Sequence, residues 1–224
     1  MRSWRGVTAS VAAFALLAGT AWAAGTQSRA HAKAASTAAE EGPPDKSLGS
    51  RNAPIVLEVF SDYSCPVCKL FYERAVRPML ETYVAEGKLY LIHRDFPLRG
   101  VIGHEHSREA AEYANAAARI GRFQEVDAAL YDKQEVWTRG GRPDATVDAI
   151  VAAALTPREM IRVRELVESH KLDTYIDSDY NLGSSKGVRA TPTIYITANG
   201  KTDILPANLS YSLLKRFLDE QLQK

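Results

Sequence analysis

The chain of 224 residues has only two cysteines, Cys65 and Cys68, and this scarcity excludes several kinds of site. A closed zinc site takes a full tetrahedral set of ligands, and no second cysteine pair is present to complete one. His104 and His106 do not stand at a recognisable zinc-ligand spacing. We therefore expect no metal site and no cofactor, and the only disulfide that the chain can form within itself is Cys65–Cys68.

The chain also lacks an excess of charge of either sign. Its 28 Lys and Arg residues are balanced by 27 Asp and Glu residues, for a formal net charge of +1. A nucleic-acid-binding surface favours a basic balance, so we expect no nucleic-acid partner. Beyond the N-terminal segment, no apolar run is long enough to span a bilayer, and no internal repeat is present.

The N-terminal segment, residues 1–23, has the pattern of a secretory signal peptide. Arg2 and Arg5 precede an apolar run, and the letters AWA at 21–23 place small residues where a signal peptidase cleaves. An uncleaved N-terminal membrane anchor is the alternative, although a run rich in Ala, Thr and Ser inserts weakly. The pattern predicts export to the periplasm or another extracytoplasmic space.

Residues 24–47 carry almost no large apolar side chains and cannot bury enough surface to offset the entropy of ordering. We interpret them as a flexible linker. Residues 48–224 suit one globular domain.

Strand and helix patterns alternate in this domain and predict an α/β fold. Runs rich in Val, Ile and aromatic residues at 53–63 and 88–96 are typical of strands, and the segment from Cys65 to Ala85 between them has a helical apolar face. This order indicates a right-handed parallel crossover.

The rest of the domain changes from helical to β character. Residues 104–183 are rich in Ala, Glu and Arg and predict a helical insertion between the second and third strands, with a capping box from Thr156 to Glu159. Asn199-Gly200 then marks a β-hairpin within 191–205, and an amphipathic helix ends the chain.

The positions of Cys65 and Cys68 favour redox chemistry over a structural role. A disulfide closing so small a loop contributes only about 2 kcal/mol by chain entropy. Cys65 begins a helix, where unpaired N–H groups and the helix dipole stabilise a thiolate and can lower the pKa to between about 3.5 and about 7.5. Cys68 lies one turn later, within reach of Cys65 but less exposed, and can resolve a mixed disulfide.

Three motifs, FSDYSCPVC, HRDFPL and GVRATPT, resemble the DsbA-type thiol–disulfide oxidoreductases, which are secreted proteins of thioredoxin-like fold with an inserted helical domain. The resemblance covers nearly all of 48–224. It implies a cis peptide bond at Pro192, opposite the active-site helix, with the backbone of Thr191 beside the Cys65 sulfur. An extended substrate could pair there, so Thr191 and Pro192 are candidate substrate-binding residues. From position alone, Pro192 could equally start a strand.

The chain departs from the family pattern at two positions. Val67 stands where the strongly oxidising members carry His, so we expect a less depressed pKa of Cys65 and a less extreme potential. Val59 stands where the family often has a buried acid for proton transfer, and Glu58 one residue earlier lies on the opposite face of the strand. The proton-relay residue is therefore not identified from the sequence.

Other candidate residues have a structural interpretation beside a functional one. His93 is expected to be packed rather than catalytic, and His104 and His106 are expected in an exposed turn. Tyr63 and Phe71 either line an apolar peptide groove or belong to the core. Asp62 and Glu73 are expected to be solvated, as most charged residues are.

These features predict an exported, monomeric oxidase that passes a Cys65–Cys68 disulfide to unfolded or cysteine-containing exported proteins and is reoxidised by a membrane or soluble redox partner. A disulfide isomerase or reductase is the related alternative, but such isomerases usually carry an N-terminal dimerisation domain, for which 24–47 is too short. A peptide-binding or chaperone module with incidental redox chemistry is the alternative from another class. A secreted peroxidase would need an activating Arg or Thr, and Arg74 lies too far along the helix.

Overall fold

A mixed five-stranded sheet forms the centre of residues 42–224, the part of the chain that the computed structural model describes. The strands are β1 (Ser47–Leu48), β2 (Ile55–Ser61), β3 (Leu89–Asp95), β4 (Thr193–Ala198) and β5 (Lys201–Leu205). Their order across the sheet is β1-β3-β2-β4-β5. The predicted signal peptide, and the predicted linker as far as residue 41, lie outside the described residues.

The two central strands, β2 and β3, are parallel and in register from Ile55–Leu89 to Ser61–Asp95. Their apolar sequences fit a sheet that is covered on both faces. Strand β4 runs antiparallel on the other side of β2, and β5 pairs with β4 across the hairpin. At its turn, Asn199 and Gly200 have φ values of 52° and 73°, as the Asn-Gly pair predicts.

Helix α1, residues 66–84, connects β2 to β3 and carries the cysteine motif at its start. It alternates between α-helical segments (Pro66–Phe71 and Arg77–Met79) and π-helical segments (Tyr72–Val76 and Leu80–Val84). Such π-helical turns accommodate irregular backbone pairing, here on both sides of Pro78, which has no N–H to donate. The predicted strand–helix–strand unit is confirmed.

A helical segment separates β3 from β4. It contains α2 (Ser107–Arg119), α3 (Phe123–Asp132), α4 (Gln134–Trp137), α5 (Val147–Ala154), α6 (Pro157–Glu168) and α7 (Asp173–Ser185), and α8 (Tyr211–Leu222) follows the hairpin. Fully buried alanines on α2 (Ala110, Ala114, Ala117) fit close helix packing. The predicted capping box at Thr156 is present. Among the described residues, no helix is both long and apolar enough to cross a bilayer.

The α/β architecture with a helical insertion is confirmed. The insertion was expected between the second and third strands, and it lies between β3 and β4 because the short strand β1 was not predicted. The helices span residues 107–185, compared with the predicted 104–183.

The N-terminal end of the folded region differs from the prediction. Lys46, placed in the flexible linker 24–47, is only 6% exposed, and Ser47 pairs with Ile92 of β3. The Lys46 ammonium forms ion pairs with Asp95 and, at 2.6 Å, with Asp179. The linker prediction is therefore wrong at Lys46 and Ser47, because two carboxylates distant in sequence compensate the buried charge.

We expect Lys46→Ala to lower the free energy of unfolding by about 3 to 5 kcal/mol, because it leaves the fully buried carboxylate of Asp95 without its lysine partner, whereas Asp179 keeps its ion pair with Arg94 at 3.0 Å. Urea denaturation monitored by fluorescence measures this loss. The matched control is Arg51→Ala, which removes an exposed pair with Asp45 at 3.3 Å and should change stability by less than about 1 kcal/mol. Equal losses in the two variants would contradict the assigned role of Lys46.

Candidate active site

The two cysteines occupy the start of helix α1. Cys65 is the N-cap, with extended φ and ψ of −73° and 119°, and Pro66 occupies the first helical position. Both cysteines are free thiols in this structure. Cys65 is 6% exposed and Cys68 is 2% exposed, so the expected order of accessibility is confirmed.

The chain segment at Thr191 and Pro192 lies directly beside Cys65. Phe60 near the end of β2 pairs with Thr193 at the start of β4, which brings the two loops together at one edge of the sheet. The Thr191–Pro192 peptide bond is cis, as the resemblance implied. The Cys65 sulfur lies 3.4 Å from the backbone carbonyl oxygen of Thr191.

The surroundings of Cys65 favour its thiolate. The largest cause is a hydrogen bond donated by the Cys68 thiol, and together with smaller contributions it lowers the pKa of Cys65 from 9.0 to about 6, against the opposing effect of burial. The Thr191 hydroxyl and the backbone N–H groups of Val67 and Cys68 lower this pKa further. The helix start that the sequence predicted as the stabilising element thus contributes, but the neighbouring thiol contributes more.

The surroundings of Cys68 have the opposite effect. Burial raises the pKa of Cys68 well above its ordinary value, and the hydrogen bond to Cys65 and the charge on that sulfur add to the shift. One sulfur is therefore held as the anion and the other as the thiol. This division suits Cys65 as the exchanging nucleophile and Cys68 as the resolving residue.

Asp62 holds the loop that leads from β2 to Cys65. Its side chain is fully buried and accepts four hydrogen bonds, from Ser64 N (2.7 Å), Leu98 N (2.7 Å), Ser107 Oγ (2.5 Å) and His104 Nδ1 (2.9 Å). The prediction that Asp62 is solvated is wrong, because loops distant in sequence supply its donors. His104, expected in an exposed turn, has a side chain only 10% exposed, whereas that of His106 is 48% exposed.

Gln134, on helix α4 of the insertion, fixes the same loop from the other side. Its Nε2 donates to the backbone carbonyl oxygens of Tyr63 at 2.6 Å and of Cys65 at 3.0 Å. Sequence reasoning missed this residue. A glutamine within a helical pattern carries no periodic or motif signal that points to a distant loop.

The aromatic residues that flank the motif belong to the core. Tyr63 is 1% exposed and Phe71 is 6% exposed, so the interpretation of these two as lining a peptide groove is wrong. The Tyr63 hydroxyl donates to Asp127 Oδ1 at 2.9 Å, and its ring stacks on His93 at a centroid distance of 5.0 Å. His93 is 5% exposed, as expected for a packed histidine.

The two acidic residues near the motif face away from Cys68 or toward solvent. Glu58 lies beside Arg94 and Lys186; burial opposes its ionisation, but both cations outweigh that effect and lower the pKa of Glu58. Glu73 lies 3.7 Å from Lys69 on the surface of α1. Among residues 42–224, no group of three or more His, Cys, Asp or Glu side chains is arranged to hold a metal ion.

An open groove runs past the motif on the outer surface. It has a volume of about 720 Å³, and its lining includes Ser64 and Pro66, the two neighbours of Cys65. Leu70 and Ile102 are its large apolar side chains, and most of the other side chains are polar or charged, among them Lys69, Glu73, Gln134, Glu135 and Arg139. Leu70 is 42% exposed and Ile102 is 93% exposed. The surface next to Cys65 therefore presents apolar side chains to solvent.

Comparison with known proteins gives one family match and several relatives. A family model described as Thioredoxin matches residues 41–220. A probable disulfide bond formation protein D of Bacillus cereus is 22% identical over 185 residues, covering 80% of this chain and 79% of the relative. The crystal structure of Wolbachia pipientis α-DsbA1 superposes with a TM-score of 0.65 at 20% identity, covering 81% of this chain and 92% of that one.

A different kind of protein also matches. A Na⁺/H⁺ antiporter NhaA 3 of Salinispora tropica is 29% identical over 182 residues, which cover 80% of this chain but only 26% of the antiporter. The chain thus spans about a quarter of the length of that relative and about four fifths of the Bacillus one. The thioredoxin-like fold expected from the cysteine, HRDFPL and RATPT motifs is confirmed.

We expect Cys68→Ala to raise the pKa of Cys65 from about 6 toward its ordinary value of 9.0, because the largest stabilising contact of the thiolate is lost. The pH dependence of alkylation by iodoacetamide, followed by mass spectrometry, measures the change. Val67→Ala is the control, since this variant keeps the backbone N–H. An unchanged pKa in Cys68→Ala would show that the helix start alone holds the anion.

Proposed function

The chain belongs to the thioredoxin family and is a DsbA-like thiol–disulfide oxidoreductase, and from this we propose that it acts outside the cytoplasm as an oxidase of exported proteins. In this role the Cys65–Cys68 disulfide is transferred to a pair of substrate thiols. The substrates are unfolded or cysteine-containing exported proteins, and a membrane or soluble redox partner restores the disulfide.

The observation that carries the proposal is the stabilised thiolate of Cys65. With a pKa of about 6, the thiolate at pH 7 is about ten times more populated than the thiol, which stabilises the reduced enzyme by about 1.4 kcal/mol. This free energy raises the reduction potential by about 30 mV relative to a pair with an ordinary first thiol. A stabilised reduced form favours donation of the disulfide, which is the direction of an oxidase.

The cis-proline loop supports a role in substrate binding. Because the Thr191 carbonyl oxygen lies 3.4 Å from the Cys65 sulfur, a substrate strand pairing with this backbone would bring its own sulfur to Cys65. We assign Thr191 and Pro192 to this binding role. Leu70 and Ile102 are exposed in the groove that passes Ser64 and Pro66, the two neighbours of Cys65, and they offer apolar contacts to an unfolded chain.

The location outside the cytoplasm rests on the signal-peptide pattern of residues 1–23 and on the redox chemistry itself. An oxidising compartment keeps disulfides formed, whereas cytosolic reductants remove them. We propose a monomer in which residues 24–41 connect this segment to the folded domain. Isomerase, reductase and peptide-binding roles have no residue in the described part of the chain that favours them over the oxidase.

Exchange with a reduced dithiol peptide tests the proposed activity. Cys65→Ser should abolish oxidation of the peptide, because the nucleophile is lost. Cys68→Ser, mixed instead with the disulfide form of the peptide, should trap a Cys65–peptide mixed disulfide that is visible by mass spectrometry, with the second peptide sulfur released as a thiol. The equilibrium with glutathione should give a potential more oxidising than that of thioredoxin by about 30 mV or more, the contribution of the Cys65 thiolate. A value near that of thioredoxin, about −270 mV, would contradict the oxidase role and favour a reductase.

Ile102 is the most exposed apolar side chain of the groove beside the motif. Ile102→Asp should raise the KM for an apolar dithiol peptide by about threefold to tenfold, the loss expected for one exposed apolar contact of about 1 kcal/mol. Ile161→Asp is the matched control, since Ile161 is also exposed (59%) but is not among the residues that line the groove. The rate with glutathione should be the same in both variants, and equal KM values for the peptide would exclude Ile102 from substrate binding.

A further inference from the structure

A small cavity lies beside Cys68, among side chains of β2, β3, α1 and α3. It has a volume of about 20 Å³, and its lining combines apolar side chains with the polar groups of Ser61, Cys68, His93, Asp127 and Tyr131. All of these polar residues are buried. A space of this size with several polar neighbours suits one buried water molecule, which needs two to four hydrogen-bonding partners.

Of the acidic residues in or near this part of the core, Asp62 already accepts four hydrogen bonds. The environments of three others, Asp95, Glu58 and Asp127, separate their roles. Asp95 forms a buried ion pair with Lys46, and Glu58 pairs with Arg94 and Lys186 on the other face of β2. Both are held as anions by cations and are poor proton acceptors. Asp127, on helix α3, instead accepts a hydrogen bond from the neutral Tyr63 hydroxyl and lines the same cavity as Cys68.

Titratable side chains surround Asp127, and they come from β3, from α1 and the residues just before it, and from α3 itself. His93 of β3 approaches it with Nδ1 at 3.7 Å from Oδ1, and His93 Nε2 lies 3.4 Å from Asp95 Oδ1. The remaining titratable groups near it are Tyr63 before α1, Tyr72 and Cys68 on α1, and Tyr131 on α3 itself.

We propose that Asp127 accepts the proton of the Cys68 thiol, through one water molecule in this cavity, when Cys68 resolves a mixed disulfide at Cys65. This inference rests on the proposed exchange function and deepens it. The proton acceptor then comes from the helical insertion and not from strand β2, where Val59 and Glu58 left the role unassigned.

During reoxidation of the enzyme, Cys68 resolves a mixed disulfide between Cys65 and the redox partner. In the mixed disulfide, Cys65 Sγ is bonded to a sulfur of the redox partner. The Cys68 proton passes to the water while a water proton passes to Asp127, and the Cys68 sulfur forms the bond to Cys65 Sγ. The bond to the partner breaks, and its electron pair leaves on the partner sulfur as a thiolate. The two enzyme sulfurs are oxidised to a disulfide and the partner disulfide is reduced.

The reverse step uses the same groups when a substrate is oxidised. A substrate thiolate attacks Cys65 Sγ, the Cys65–Cys68 bond breaks, and its electron pair leaves on the Cys68 sulfur. Protonated Asp127 then returns the proton through the water to Cys68. Burial raises the pKa of Asp127 to about 6, in spite of the opposing effects of His93 and Tyr63, so both forms of this carboxyl are accessible near neutral pH. A base with a pKa near the working pH transfers protons efficiently.

The resolving step can be measured directly with glutathione. Reduced protein is mixed with oxidised glutathione, quenched with acid at successive times, and the decay of the Cys65–glutathione adduct to the internal disulfide is followed by mass spectrometry. In the wild type, the rate constant for this decay should rise with pH and level off above about 6 as Asp127 ionises. In Asp127→Asn it should fall by about 10²-fold at neutral pH and rise steadily with hydroxide concentration, without the plateau.

Two further variants separate proton transfer from a structural role. Tyr63→Phe removes the hydrogen bond that lowers the pKa of Asp127, so the midpoint of the wild-type profile should move to higher pH. Asp132→Asn, an exposed carboxylate on the same helix α3, should keep the wild-type rate and profile.

Stability provides a second control. An aspartate whose pKa is raised by folding keeps its proton in the native state at a pH where the unfolded chain has lost it. Stability therefore falls as the pH rises from about 4 to about 6, and the full cost is present above that. Asp127→Asn removes this cost, and the variant should be at least as stable as the wild type at neutral pH. A slow resolving step in a fully folded variant then supports the assignment.

A wild-type rate and pH profile in Asp127→Asn, or an unmoved midpoint in Tyr63→Phe, would overturn the assignment. If Asp127→Asn does not fold, the profile of Tyr63→Phe decides. A protein that forms no glutathione adduct at Cys65 would instead overturn the exchange function, and the proton-transfer role with it.

Discussion

The hydrogen bond from the Cys68 thiol to the Cys65 thiolate is the interaction on which the active site depends. It requires one sulfur to be an anion and the other to keep its proton, and the fold provides an environment for each. Cys65 is held at the start of helix α1 beside the Thr191 hydroxyl, whereas Cys68 lies deeper, where burial disfavours its charge. The same geometry keeps the two sulfurs close enough to form a disulfide.

The helical insertion has a direct part in building this site. Gln134 holds the carbonyl oxygens of the active-site loop, and Ser107 donates to the buried carboxylate of Asp62 that fixes the start of that loop. Asp127 and Tyr131 close the space beside Cys68. A sheet with a single crossover helix could supply the cysteine pair, but the insertion supplies the polar contacts that hold it in place.

Buried charges are divided between two environments in the core. The Lys46 ammonium compensates Asp95 and Asp179, and it links the first ordered strand to the middle of the sheet. Asp127 has a neutral tyrosine as its hydrogen-bond donor, and burial raises its pKa. A buried carboxylate that has no cation beside it destabilises the folded protein. Such carboxylates are typical of functional sites, where their raised pKa is used for proton transfer.

Local sequence determined much of this protein. The period of apolar residues predicted β2, α1 and β3, Asn199-Gly200 predicted the hairpin turn, and Thr156 with Glu159 predicted a helix start, because each depends on residues a few positions apart. The spacing of Cys65 and Cys68 predicted the redox pair, whereas the cis bond at Pro192 was implied only by the family resemblance of the RATPT motif. Tertiary structure alone decided the roles of Lys46, Asp62, Gln134 and Asp127. Their burial and pKa depend on donors and cations that lie far away in the sequence, and no local pattern of the chain records which of those partners will meet.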